Sequence, residues 1–154
     1  PRTRAWPGDQ RPPAPGGGAP VMRGETDLAR MLATMEPVLR PEEFGYGLIP
    51  GMAAIPAGLV PFATVREAEG LTVIAPCAAL VRHGIAHRRG FACISLSVHS
   101  DLEALGLTAA FARALADAGL GANVIAGLHH DHILTSWDRR EAALACLRAL
   151  SRAP

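Results

Sequence analysis

Two stretches of the chain run through the same order of signals. "FATVREAEGLTVIAPCAALVRHG" (62–84) reads as strand, polar turn, strand, helix. "ANVIAGLHHDHILTSWDRREAALACLRAL" (122–150) repeats that order at nearly the same spacing. Each is preceded by a further strand, at 44–49 and at 91–98. In the second unit a helix stands between its first two strands, which gives most of a βαββαβ unit. In the first unit the Gly/Pro/Ala stretch 50–60 takes the place of that helix. No closing strand follows the last helix before Pro154. Two incomplete units of this kind must complete each other or pair with a second chain.

The periodicities are specific. Leu28, Met31, Leu32 and Met35 recur at helical spacing after Asp27, and Pro37 and Pro41 are expected to end that helix. "FGYGLIP" (44–50) reads as a short strand. In "FACISLSVHS" the residues Ile94, Leu96 and Val98 alternate with Ser95 and Ser97, the mark of a half-buried strand. Leu107, Phe111 and Leu115 form one helical stripe, with Gly119 placed to terminate it. Asp138 and Glu141 resemble a capping box ahead of a final helix that turns Ala143, Leu147 and Leu150 inward.

Composition narrows the function classes. The chain has 154 residues and a net charge of +1, which offers no electrostatic case for nucleic acid or a membrane surface. All 15 basic residues are arginine, so lysine nucleophiles, Schiff bases and a phosphate-loop lysine are absent. Cys77, Cys93 and Cys146 are odd in number and form no Cys-x-x-Cys pair; they read as small buried residues in a reducing, cytoplasmic setting. No apolar run approaches a membrane span and no leader is evident. Residues 1–25, rich in Pro and Gly, are expected to form a disordered tail.

One stretch joins these signals. Val98 to Ala109 ("VHSDLEALGLTA"), Asn123 to Gly127 ("NVIAG") and His130-Asp131-His132, taken with Arg66 to Thr72 ("REAEGLT"), resemble a family of small bacterial proteins made of two ACT-type domains. The resemblance covers Leu28 to Leu150. His129 stands where that family's pattern leads one to expect an aromatic residue. The resemblance implies an α+β protein of two ferredoxin-like (ACT-type βαββαβ) units, the first degenerate, with antiparallel sheets and helices on one face. It divides the chain into an N-terminal unit at 26–88 and a C-terminal unit at 89–154. ACT domains generally bind amino acids or other small metabolites and regulate enzymes or transcription, often across a domain or subunit interface.

In a split βαβ unit the first two strands are parallel and the third lies between them. His99, Ser100, the helix start at Leu105, Gly106, Leu107 and Thr108, and the hairpin His130-Asp131-His132 are therefore expected at one end of the sheet. Unpaired N–H groups at the helix start would seat a carboxylate, and Gly106 would let it approach the backbone. By resemblance Asn123, Val124 and Ile125 are the strand positions of the ligand site. Plainer roles stay open for each: a turn for Gly106, an N-cap for Thr108, a strand-edge hydrogen bond for Asn123, a satisfied polar group for His99, and a hydrogen-bonded hairpin tip for the triplet. So does a solvated turn for Arg66, Glu67 and Glu69.

The expected function is reversible binding of a small, amino-acid-like metabolite without catalysis or cofactor. The expected partners are a second copy of the chain and a separate regulated protein. Two alternatives stand beside it. One is a metal site or metal-dependent enzyme built on His130, His132 and His99; the other is a purely structural dimerisation module. A hydrolytic dyad of His with Asp131 would need a nucleophile, for which Ser97 and Ser100 are the nearest candidates.

Overall fold

The computed structural model describes residues 25–51, 54–98 and 104–152. The expected tail at 1–25, except its last residue, and the candidates His99 and Ser100 lie outside them. The elements are α1 (Leu28–Thr34), β1 (Glu36–Pro50), β2 (Ala63–Arg66), β3 (Gly70–Pro76), α2 (Cys77–Arg82), β4 (His87–Ser97), α3 (Leu107–Asp117), β5 (Asn123–Ala126), β6 (Asp131–Ser136) and α4 (Arg140–Leu150). Among the described residues six strands form one sheet in the order β2-β3-β1-β4-β6-β5, every neighbouring pair antiparallel.

Two long strands explain how the incomplete units close. β3 pairs with β1 only from Phe44 to Pro50, and β6 pairs with β4 only from Phe91 to Leu96. Between them β1 and β4 pair from Glu36↔Ser97 to Gly47↔His87, with register shifts at Leu39/Glu43 and Phe44/Tyr46. The C-terminal part of β1 is thus the first strand of the N-terminal unit, and its N-terminal part is the closing strand of the C-terminal unit. β4 does the converse. Each unit takes its fourth strand from the other, which is how the chain meets the need for completion.

Both long strands exceed what their sequences announce. Pro37 and Pro41 do not merely end α1; they lie within β1. There β1 has β4 on one side only, and Pro41 falls in a register shift between Leu39 and Glu43, a place where a missing N–H is tolerated. β4 begins at His87 rather than at Phe91, because His87 and Arg88 pair with Gly47 and Tyr46. Asp138 caps nothing: a 3₁₀ turn at Trp137–Arg139 precedes α4, and the Arg140 guanidinium stacks 4.2 Å from the Trp137 ring and donates to its carbonyl. Gly119 follows α3 in the left-handed region, as its place in the sequence suggests.

The four α-helices among the described residues cover one face of the sheet. Ile94, Leu96 and Ile133 meet Met31 of α1, Leu107, Phe111 and Leu115 of α3, and Ala143, Leu144 and Leu147 of α4. Val73, Ala75 and Ile49 meet Leu80 of α2. Strand alternation sends Phe44, Ile74, Cys93 and Leu134 to the opposite, helix-free face, where they cluster with Tyr46, Phe62 and Phe91. β1 divides sharply between the two faces. Phe44, Tyr46 and Leu48 point away from the helices, while Gly45 and Gly47 face them. A Cβ at Gly45 would lie 2.7 Å from His87 Cδ2 and 3.1 Å from Leu80 Cδ1, and one at Gly47 would lie 2.6 Å from Ile85 Cγ2. The first unit therefore packs α2 and the segment after it directly on bare backbone.

Gly45→Ala and Gly47→Ala are each expected to cost about 1–3 kcal/mol by overpacking this seam. Gly121→Ala, with nothing within 4 Å of its Cβ position, should change stability by less than about 0.5 kcal/mol in the same urea titration.

Candidate functional site

β4 and β5 run parallel with β6 between them, so that Leu96, Asp131 and Ala126 lie side by side. This brings the end of β4, the β5–β6 hairpin and the start of α3 to one end of the sheet. The hairpin closes with the Gly127 N–H donating to the His130 carbonyl at 2.9 Å. His130 Nδ1 lies 3.3 Å from the Val98 carbonyl, which ties the hairpin to the end of β4. Leu107, the first residue of α3, packs in the same cluster as Leu96 and Val98. Of the residues expected to converge, the structure gathers Gly106, Leu107, Thr108, His130 and Asp131 here.

Gly106 precedes the helix at φ +96°, a left-handed conformation that favours glycine, and as a glycine it brings no side chain to cap the first turn. Thr108 is the second helical residue and is exposed, so it is not the cap. A Cβ at Gly106 would lie 3.0 Å from Leu28 Cδ2, so α1 walls one side of this start. Leu105, 84% exposed, stands beside it.

Strand alternation divides the histidine–aspartate triplet. Asp131 shares the helix side with Leu96 and is 8% exposed. Burial pushes its carboxyl above the usual carboxylate range, and nearby His130 only partly opposes this. His132 points to the helix-free face, away from the α3 start. Its Nδ1 lies 2.9 Å from Ser95 Oγ, and its ring meets Phe62 edge-on at 4.9 Å. Burial lowers its pKa, and Arg40 and His130 add to the effect. Asn123 and Ile125 share the helix-free face with His132. Asn123 Nδ2 donates to the Leu134 carbonyl at 3.4 Å, and Ile125 packs beside Leu134, while Val124 is exposed on the edge strand.

A second constellation therefore sits across the sheet from the α3 start. The Arg40 guanidinium lies 4.8 Å from the centre of the Phe62 ring, and Arg40 Nε donates to Ser95 Oγ at 3.5 Å. Beneath it, burial pushes the Cys93 thiol up to about 11, which keeps it protonated. Neither Ser95, Arg40 nor Phe62 stood among the candidate site residues of the sequence. The alternation of β4 puts Ser95 on the polar side, but only the pairing Ser95↔His132 reveals its partner. Asp131 faces away from His132, so it cannot orient that imidazole as the third member of a Ser-His-Asp set. Among the described residues, no three of His, Cys, Asp and Glu gather as a metal-binding group.

This topology and these motifs define a protein of two ACT domains. Residues 23–92 and 88–149 each match the ACT domain family. A solved protein of unknown function from Vibrio cholerae, described as a possible transport protein, is 38% identical. Its alignment covers 81% of this chain and 96% of that one, with a TM-score of 0.72. The chain belongs to this family of tandem ACT-domain proteins. A solved protein from Agrobacterium tumefaciens is 17% identical over 76% of this chain and 89% of its own, with a TM-score of 0.64. The regulatory subunit of aspartate kinase from Thermus thermophilus shares the fold at 16% identity, over 74% of this chain and 95% of its own, with a TM-score of 0.56. No curated protein matches the chain.

Because folding depresses the pKa of His132, its contribution to stability is present above the ordinary histidine range and is lost as pH falls through the lowered value. Between pH 7 and pH 4 the native chain is expected to lose more melting temperature than His132→Gln. Parallel curves for the two proteins would contradict the burial of this imidazole.

Proposed function

We propose that this protein is a ligand-binding regulatory protein whose ligand is a small amino acid, taken at the start of α3. Membership of the ACT-domain family and the fold shared with an aspartate kinase regulatory subunit support a regulatory binding role. The observation that carries the site is Asp131: a buried carboxyl with a raised pKa at the same end of the sheet as the start of α3. In the free protein this carboxylate bears the cost of leaving water. A ligand ammonium beside it offsets that cost, and the ligand carboxylate meets the N–H groups of Leu107 and Thr108. His130 lies close enough to Asp131 to influence its charge and completes the polar rim. His99 and Ser100, which stand between β4 and α3 in the sequence and lie outside the described residues, are assigned to the same site. His132, Asn123 and Ile125 face the other side of the sheet and are assigned no contact with this ligand.

The output of such a sensor is assigned to a partner, either a second copy of the chain or a separate regulated protein. The described cysteines are all free, which accords with a cytoplasmic setting. Among the described residues no helix is long and apolar enough to cross a membrane.

Calorimetric titration with each of the twenty amino acids tests the reading. One or two are expected to bind, and Asp131→Asn should weaken them at least tenfold, since a hydrogen bond to a charged group contributes about 1.5–3 kcal/mol. Silence from all twenty, or unchanged affinity in Asp131→Asn, would contradict it. Without ligand, Asp131→Asn should be at least as stable as the native chain at neutral pH. The raised folded pKa means that the native carboxyl loses stability as pH rises through it.

A further inference from the structure

A cavity on the helix-free face belongs to the N-terminal unit and has no part in the α3 site. It has a volume of about 590 Å³, within the ~300–1,000 Å³ range of small-molecule sites. Its floor is apolar: Tyr46 and Leu48 from β1, Ile74 from β3 and Val65 from β2. Strand register aligns them, with Tyr46 beside Ile74 and Leu48 beside Thr72, which in turn pairs with Val65. Leu48 and Val65 remain 42% and 50% exposed, bare apolar surface at the bottom of a concavity.

The walls carry opposite charges at opposite ends. At one end Glu67 accepts a hydrogen bond from the Thr72 hydroxyl, which holds its carboxylate above β3, and Glu69 follows in the same turn. At the other end Arg88, paired with Tyr46, lies with its guanidinium 5.7 Å from the Phe91 ring centre. β3 and β4 are two strand spacings apart, roughly 10 Å between backbones. With a hydrogen bond of about 2.9 Å at each end, the space between suits a short aliphatic spacer with a cation at one tip and an anion at the other.

We propose that the cavity over Tyr46, Leu48, Val65 and Ile74 binds an aliphatic ω-amino acid, its ammonium on Glu67 and Glu69 and its carboxylate on Arg88. An α-amino acid with an uncharged side chain, whose two charges sit on one carbon, cannot reach both walls. Separation of the charges by a methylene chain is therefore the selecting feature. The polar turn Arg66–Gly70 thereby has a use beyond solvation. The proposal stands independently of the ligand assigned to the α3 start.

Titration of the full ¹⁵N-labelled chain with 6-aminohexanoate, hexanoate and hexylamine, read by amide chemical shifts, tests it. The expected result is saturable shifts for residues 46–48, 65–72 and 88 with 6-aminohexanoate, at least tenfold tighter than with either singly charged compound. Glu67→Gln and Arg88→Gln, both at exposed positions, should each weaken binding at least tenfold while their amide spectra remain those of a folded chain. Absence of shifts would overturn the proposal. So would shifts confined to Gly106–Thr108 and His130, or equal binding by hexylamine. None of these outcomes decides whether an α-amino acid binds at α3, because that site is read from its own amides.

Discussion

The ladder between β1 and β4 is where the two ACT units are joined, and neither unit has four strands without it. Glu36 to Leu39 pair with Ile94 to Ser97 to close the C-terminal unit; Phe44 to Gly47 pair with His87 to Phe91 to close the other. Because each strand serves both units, the division between them runs across two continuous strands rather than through a linker. The two halves are joined by backbone hydrogen bonds, and the helix-side clusters flank this shared centre. Loss of either strand would leave an open edge in both units at once.

Much of this was legible from residue spacing. The repeated order of strand, turn, strand and helix announced two units, and the missing last strand announced that they must complete each other or pair with a second chain. The helical stripes of α3 and α4 and the alternation in β4 placed most of the core. The lengths of β1 and β4 were not legible. Pro37 and Pro41 read as punctuation because a proline argues against a central strand, and only the offset of the two half-sheets makes that part of β1 an edge. The expected strand began at Phe91, although His87 and Arg88 already pair with β1 where β6 does not follow. Gly45 and Gly47 lay within the expected strand 44–50 with no role of their own. Their role appears only once Leu80, Ile85 and His87 are packed against them.

The site was half legible for a related reason. Topology alone put the hairpin, the end of β4 and the start of α3 together. The triplet His130-Asp131-His132 suggested one cluster, but a period of two places Asp131 and His132 on opposite faces. One motif thus supplies two environments: a buried carboxyl under the helices, and an imidazole bonded to Ser95 beneath Phe62 on the bare face. Sequence proximity could not find Ser95, Arg40 or Phe62, because each reaches His132 from a separate strand or loop.

Native-state hydrogen exchange tests the shared-strand architecture most directly. If each unit is closed by the other's strand, the slowest amides of Ile94–Leu96 in one unit and of Val73–Ala75 in the other open in a single global event. They should then show the same opening free energy and the same dependence on denaturant. Two distinct free energies, with one unit exchanging while the other stays protected, would contradict it.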